Sequence, residues 1–349
     1  MLLLFAEIMK LTESLNRLIK ELNERQREVI VHRFGIETAP KTLAQLGKKY
    51  KVTRERVRQI EAMGLKSLRK KAQGDDSLKK HFEVLVNYLE ELGGVRRVDL
   101  LASDAQLIFK DPKISSSYLE LLFVIFEKPH LFSENKDFYS FWYLSPKHLK
   151  NNLDFVKKLL KFLKDKKEEV LEKRLFDYLF SQVVKEHSLS DFVALNFIQN
   201  SKRFATNPFG DFGLAEWREI LPKTVRDKSY LILKKRKTPM HFREIAQEIN
   251  KIGFDHRRAH PQTVHNELIK DPRFVLVGRG LYSLREFGII PGTTREILKK
   301  ILKTHGPLPL EKIIELVSQQ RVIKHNTILL NLANRKHFKK TEDGLYRVA

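Results

Sequence analysis

The chain has 349 residues, no cysteine, and 66 Lys and Arg against 43 Asp and Glu, a net charge of +23. That length implies two to four domains, each able to bury a core. The composition excludes a disulfide framework and thiolate metal sites. No stretch is apolar for long enough to span a bilayer, and the run at 1–6 is too short for a signal-peptide core.

Residues 1–21 read as a helix, with Leu4, Ile8, Leu11, Leu15, Leu18 and Leu22 at helical spacing. Residues 22–72 read as a helix-turn-helix. Residues 42–50 form the supporting helix, Lys51 and Val52 the turn, and 53–71 the recognition helix. Thr53 suits an N-cap, because its hydroxyl can accept a first-turn N–H. Val57, Ile60, Gly64, Leu65 and Leu68 would face the core. The other face carries Thr53, Arg54, Glu55, Arg58 and Gln59 at the end that such a motif places in the major groove. Arg can grip guanine O6 and N7 there, and Glu can accept from cytosine N4. Lys48, Lys49, Arg56, Lys66, Arg69 and Lys70 are placed to meet phosphates.

Arg33-Phe34-Gly35, Thr42-Leu43, Gly47, the run from Val52 to Glu61, and Leu68-Arg69 resemble region 4 of housekeeping-type RNA polymerase sigma factors. The resemblance covers about fifty residues and is most specific at 52–61. It implies a domain that reads the −35 promoter element, with Arg54, Glu55, Arg58 and Gln59 as base readers, and that docks on the β flap of RNA polymerase. Met63-Gly64 departs from the family, which usually has lysine then alanine. That removes a possible phosphate contact and puts a flexible residue mid-helix. A complete sigma factor carries an aromatic promoter-melting region upstream, for which this sequence leaves no room, so the chain reads as a promoter reader without the opener.

After a break at 73–76 the chain is mostly helical, with a recurring feature. A helix is followed by a Phe, a short turn and an aromatic strand-like run. The anchoring residues are Phe132, Phe204, Phe274 and Phe338, spaced by about 70 residues. The pattern predicts up to four winged-helix modules, each with a β-hairpin wing, the first two degenerate. Trp142 and Trp217 are expected as wing or core anchors.

The third module is the clearest. It has helices at 228–235, 241–252 and 262–270, a break at 238–240, and a wing at 273–277 and 281–285 around Gly278-Arg279-Gly280. Val264, Leu268 and Ile269 are expected inside, and Pro261 suits the first helical position. Pro239 to Ala246, Thr263 to Leu268 and Arg273 to Tyr282 resemble the HARE-HTH family, a winged helix found in the δ subunit of some bacterial RNA polymerases and in chromatin and restriction-associated proteins. That resemblance implies binding to DNA or a transcription complex. Arg257, Arg258, His260, Gln262, Thr263, His265 and Arg279 are its candidate surface. The fourth module repeats the plan, with helices at 293–305, 310–319 and 324–335 and a wing at 338–348. Lys324, Asn326, Lys339 and Lys340 are its candidates.

Charge follows this organisation. Residues 1–74 carry +9, residues 75–220 carry −1 and residues 221–349 carry +15. Basic clusters on helix-turn-helix patterns favour nucleic acid. No amphipathic helix with a lipid-facing aromatic edge argues for a membrane. Catalytic motifs are absent: there is no phosphate-cradling glycine loop and no Gly-x-Ser-x-Gly elbow. The mixed-charge run at 164–173 reads as a solvated helix face. His256, His260 and His265 could suggest a metal, but Pro261 prevents one helix from carrying the first two.

The fold class is therefore mainly α: a helix-turn-helix at 1–74, helical and degenerate winged-helix segments at 75–145 and 146–220, a HARE-HTH-like winged helix at 221–288 and a diverged one at 289–349. The expected function is a cytoplasmic, nucleoid-associated bacterial transcription regulator or sigma-like protein. Its expected partners are double-stranded DNA and RNA polymerase core, with no cofactor and no enzymatic activity. The alternative is an accessory polymerase subunit, δ-like, acting mainly by protein–protein contacts.

Overall fold

The computed structural model describes residues 10–171, 176–289, 292–319 and 323–349. Leu4 and Ile8 lie outside the described residues, as does part of the 164–173 run. The chain divides into two compact units, 1–205 and 206–349.

The first unit opens with four helices: α1 (Leu11–Lys20), α2 (Glu24–Phe34), α3 (Leu43–Tyr50) and α4 (Arg54–Ala72). Asn23 caps α2, and Gly35 ends it in the left-handed conformation at φ 72°. Asp75 then caps α5 (Asp76–Glu91), followed by β1 (Val95–Arg97), α6 (Val98–Ile108), α7 (Ser116–Phe126), β2 (His130–Phe132) and β3 (Phe141–Tyr143). The sheet order is β1-β3-β2, antiparallel throughout. Three helices with this sheet make a full winged helix, not a degenerate one. Sequence reasoning missed β1, because a three-residue strand shows no alternation to read.

One apolar core joins the helix-turn-helix to this winged helix. Leu11, Leu15, Ile30 and Leu68 share it with Leu78, Leu85, Leu119, Leu122, Phe123 and Trp142. The cause lies in α7, whose sequence SSYLELLFVIF is apolar nearly all round, and such a helix is stable only when enclosed. The helix break at 73–75 is therefore not a break in the core. Next come α8 (Pro146–Asp165), α9 (Lys167–Leu171), α10 (Phe176–Glu186), α11 (Asp191–Gln199) and β4 (Phe204–Thr206).

The second unit holds β5 (Phe212–Leu214), then α12 (Val225–Arg236), β6 (Met240–His241), α13 (Phe242–Ile252), α14 (Pro261–Lys270), β7 (Phe274–Gly278) and β8 (Leu281–Leu284). Its sheet order, β6-β8-β7, repeats that of the first winged helix. Met240, read from sequence as part of a break, belongs to β6. Ile269, expected inside, is 62% exposed; the core of α14 is closed by Val264 and Leu268. The last module comprises α15 (Thr294–His305), α16 (Leu310–Ser318), α17 (His325–Leu332), β9 (Phe338–Lys340) and β10 (Tyr346–Val348). Leu308 bridges to Tyr346 where the other modules have their first strand.

The Phe period holds for the third and fourth wings, where Phe274 and Phe338 open their strands opposite Leu284 and Val348. In the first wing the corresponding outer pair is His130 with Tyr143, while Phe132 pairs with Phe141 nearer the turn. The first copy is thus two residues out of register with the sequence repeat. Trp142 and Trp217 are both buried.

Candidate nucleic-acid interface

The turn that aims α4 is fixed by local chemistry. Thr42 and Gln45 form a reciprocal capping box at the start of α3: Gln45 N donates to Thr42 Oγ1 at 3.2 Å and Thr42 N to Gln45 Oε1 at 2.8 Å. Lys51 turns the chain at φ 55°, and Val52 N returns to Gly47 O at 3.0 Å. A Cβ on Gly47 would lie 2.8 Å from Val52 O, so the close approach of turn to helix requires glycine there. Thr53 Oγ1 then accepts from Arg56 N at 3.1 Å and starts α4. Val29, Leu46, Val57 and Ile60 lock α2, α3 and α4 together.

The outer face of α4 carries Thr53, Arg54, Glu55, Arg58 and Gln59, all exposed. Glu55 and Arg58 are joined by two hydrogen bonds, 2.9 and 2.7 Å. That pairing, with Arg54 nearby, holds the Glu55 carboxyl below the usual carboxylate range. Arg56 donates to Gln59 Oε1 at 3.2 Å. Arg54 makes no such bond among the described residues.

The phosphate candidates divide. Lys48 and Lys66 are exposed. Lys49 Nζ stands 2.8 Å from His32 Nε2. Burial first, and then Lys49 and Lys41, push His32 below its ordinary range, so the ring accepts from the ammonium. Arg69 is turned to α7: its guanidinium donates to Val124 O at 3.4 and 3.2 Å and pairs with Glu127 at 3.2 Å. Sequence reasoning could not see this, because the partner lies 55 residues away. It also missed Arg25, which sits over the Tyr50 ring at 4.1 Å and donates to Tyr50 O. Glu61, half-buried on the inner side of α4, stands 3.3 Å from Arg33 of α2. Burial raises its pKa more than Arg33 lowers it.

The first winged helix offers no comparable face. Its third helix, α7, is the one enclosed in the shared core, and its wing is clasped within the unit. Phe138 bridges to Ser201, Tyr139 N donates to Asn200 O, and Lys202 pairs with Glu134. Tyr139 lies between two cations, Arg97 at 4.5 Å and Lys202 at 5.2 Å.

In the second unit, Arg257, Arg258 and His260 occupy an exposed loop before α14. Asn250 braces that loop through a two-way bond with Ala259, 3.0 and 2.7 Å. Gln262, Thr263 and Asn266 face outward from α14. His265 does not join them: it is half-buried beside Phe242 and Tyr282, at 4.6 and 5.9 Å between centroids. Among the described residues no three His, Cys, Asp or Glu side chains converge as a metal site needs. Arg279 is exposed at the wing tip, next to Gly280, where a Cβ would strike His241. Arg279 and Lys324 line one cleft of about 1000 Å³ with Leu276, Thr293 and Thr327. Lys324, Asn326, Lys339 and Lys340 are exposed, with Lys340 over the Tyr346 ring at 5.6 Å.

Fold and surface together define a helix-turn-helix and winged-helix protein. Residues 18–70 match the family described as Sigma-70, region 4, and residues 223–287 match HARE-HTH, the HTH domain named for its occurrence in ASXL and restriction endonuclease proteins. The RNA polymerase sigma factor RpoD of Helicobacter pylori (strain ATCC 700392 / 26695) is 40% identical over 81 residues, 23% of this chain and 11% of that protein. The RNA polymerase sigma factor SigA of Lactococcus lactis subsp. cremoris is 45% identical over 60 residues, 17% of this chain and 16% of that protein. The chain thus spans under a fifth of the length of these curated relatives. Among the described residues no helix is long and apolar enough to cross a membrane.

Proposed function

We propose that this chain is a sigma-like transcription factor that binds −35-like promoter duplex through the first turns of α4 and associates with bacterial RNA polymerase, in the cytoplasm at the nucleoid. The observation that carries the reading is the mixed Arg, Glu and Gln face at the exposed N-terminal end of α4, within a segment matched to sigma region 4. In this reading Arg54 and Arg58 donate to guanine, Glu55 accepts from cytosine, and Gln59 pairs with adenine. Lys48, Lys49, Arg56 and Lys66 meet phosphates and give affinity that falls steeply with salt. Contact with the polymerase β flap rests on the family resemblance. No catalytic step is assigned.

A second reading, an accessory polymerase subunit acting mainly by protein contacts, is favoured by one observation: the first winged helix spends both its third helix and its wing on contacts within the chain. Fluorescence anisotropy at near-physiological salt separates the two. A duplex with a consensus −35 hexamer should bind more tightly than a shuffled duplex. Equal binding to both, with stable copurification with polymerase, would favour the accessory subunit.

A further inference from the structure

The three outward-facing third helices of a helix-turn-helix or winged helix in this chain do not present the same chemistry. Helix α4 offers Arg54, Glu55, Arg58 and Gln59, and α14 offers Gln262, Thr263 and Asn266, with Ile269 only in its last turn. Helix α17, HNTILLNL, offers leucines. Its inner side is closed by Ile328 and Leu332 in the module core. Outside, Leu330 is 75% exposed and Leu329 39% exposed. Asn326, Leu329, Leu330 and Ala333 fall at i, i+3, i+4 and i+7 and are all exposed, the stripe by which helices pack on helices or into grooves. Asn331, beside it, has its amide committed to Thr327 O at 2.7 Å.

A duplex groove is polar on its floor and anionic on its walls, so two central leucines gain nothing from it beyond a thymine methyl. A protein surface desolvates them. The surroundings specify the charge of that surface. Lys324, Arg335, Lys336, Lys339 and Lys340 are exposed around this helix and the adjoining strand, and none makes an ion pair among the described residues.

We propose that α17 is a protein-docking helix, and that its occupant is an acidic amphipathic helix of core RNA polymerase, its apolar side on Leu329 and Leu330 and its carboxylates toward the surrounding lysines and arginines. This rests on the polymerase association proposed above. The fourth module is then the polymerase-facing end of the chain and α4 the DNA-facing one.

The test uses the full chain and purified core polymerase from the cell that encodes it, with a −35 duplex measured in parallel. Leu329→Glu with Leu330→Glu should weaken polymerase binding roughly tenfold or more, the loss expected for a central apolar anchor, and leave duplex affinity unchanged. Lys339→Glu with Lys340→Glu should weaken it less and remove much of its salt dependence. Both leucines lie outside the core, and an unchanged urea midpoint checks that the module stays folded. Polymerase binding that ignores both leucine substitutions would overturn the docking helix while leaving the association standing. A fall in duplex affinity alone would make α17 a DNA surface. A wild-type chain that does not bind core polymerase would remove the association itself.

Discussion

Glu55 and Arg58 close a two-point ion pair across one turn of α4, so two candidate base readers hold each other before any DNA arrives. Both are well exposed, and an exposed i,i+3 pair adds little to stability, on the order of a few tenths of a kcal/mol. Its importance is in recognition. Glu55→Ala should release Arg58 and remove a negative charge from the reading face. Affinity for a shuffled duplex should rise, while the ratio between hexamer and shuffled duplex should fall. Titration of both duplexes by anisotropy measures the two quantities together; an unchanged ratio would take Glu55 out of the reading face.

The turn should be less tolerant than the middle of the recognition helix. Gly47→Ala forces a Cβ against the backbone oxygen of Val52 at 2.8 Å, which cannot swing away. A cost of about 1–3 kcal/mol is expected, with loss of duplex preference. At Gly64 the nearest atom is Ile30 Cγ1 at 3.1 Å. Gly64→Ala should be close to neutral, because a gain in helix propensity of about 1 kcal/mol offsets the crowding. Gly64→Leu should destabilise. Urea denaturation of the three variants gives the order directly.

Arg69 and Lys66 lie on the same helix and should behave differently. Arg69 is tied to Val124 O and Glu127, whereas Lys66 is free in solvent. Lys66→Ala should reduce the slope of log affinity against log salt by about 0.9, the value for one phosphate contact. Arg69→Ala should leave the slope nearly unchanged and cost about 1 kcal/mol of stability, a charged hydrogen bond discounted for its partial exposure. A slope change at Arg69 equal to that at Lys66 would mean that the guanidinium leaves α7 when DNA binds.

Stability should decline on mild acidification through His81. The ring is buried against Phe109, with Nδ1 2.7 Å from Ser77 O. Burial lowers its pKa from an ordinary 6.5, more than the Ser77 carbonyl, Asp75 and Asp111 raise it. The unfolded chain therefore takes up the proton first. The contribution of neutral His81 is whole above pH 6.5 and is lost as pH falls from there through the folded value. The urea midpoint should drop between about pH 7.5 and about pH 5. His81→Asn, which can keep the bond to Ser77 O without titrating there, should flatten that part of the curve; an equal drop in the variant would place the titration elsewhere.

Much of the first domain was legible because its signals are local. Thr42 and Thr53 cap helices, the Lys51-Val52 turn is short, and Val57, Ile60 and Leu68 keep helical spacing. The same holds for Pro261 at the start of α14 and for the wing around Gly278-Arg279-Gly280. What escaped depends on distant partners. Arg69 resembles any exposed basic residue until α7 is folded beside it, and His265 resembles a surface histidine until Phe242 and Tyr282 flank it. Ile269 continues an apolar run, yet it falls on the outward side of α14. The burial of α7 was available in principle, since a helix apolar on every side must be enclosed; what encloses it was not.

The reading of DNA bases by α4 is tested most directly by single-base-pair scanning. Each position of a −35 duplex is replaced in turn, and affinities are compared for the wild-type chain and Arg54→Ala. Loss of Arg54 should flatten the preference at one base pair, by about 1–3 kcal/mol, and leave the rest of the profile in place. A profile identical in the two proteins, or one flat in both, would contradict base reading by this helix.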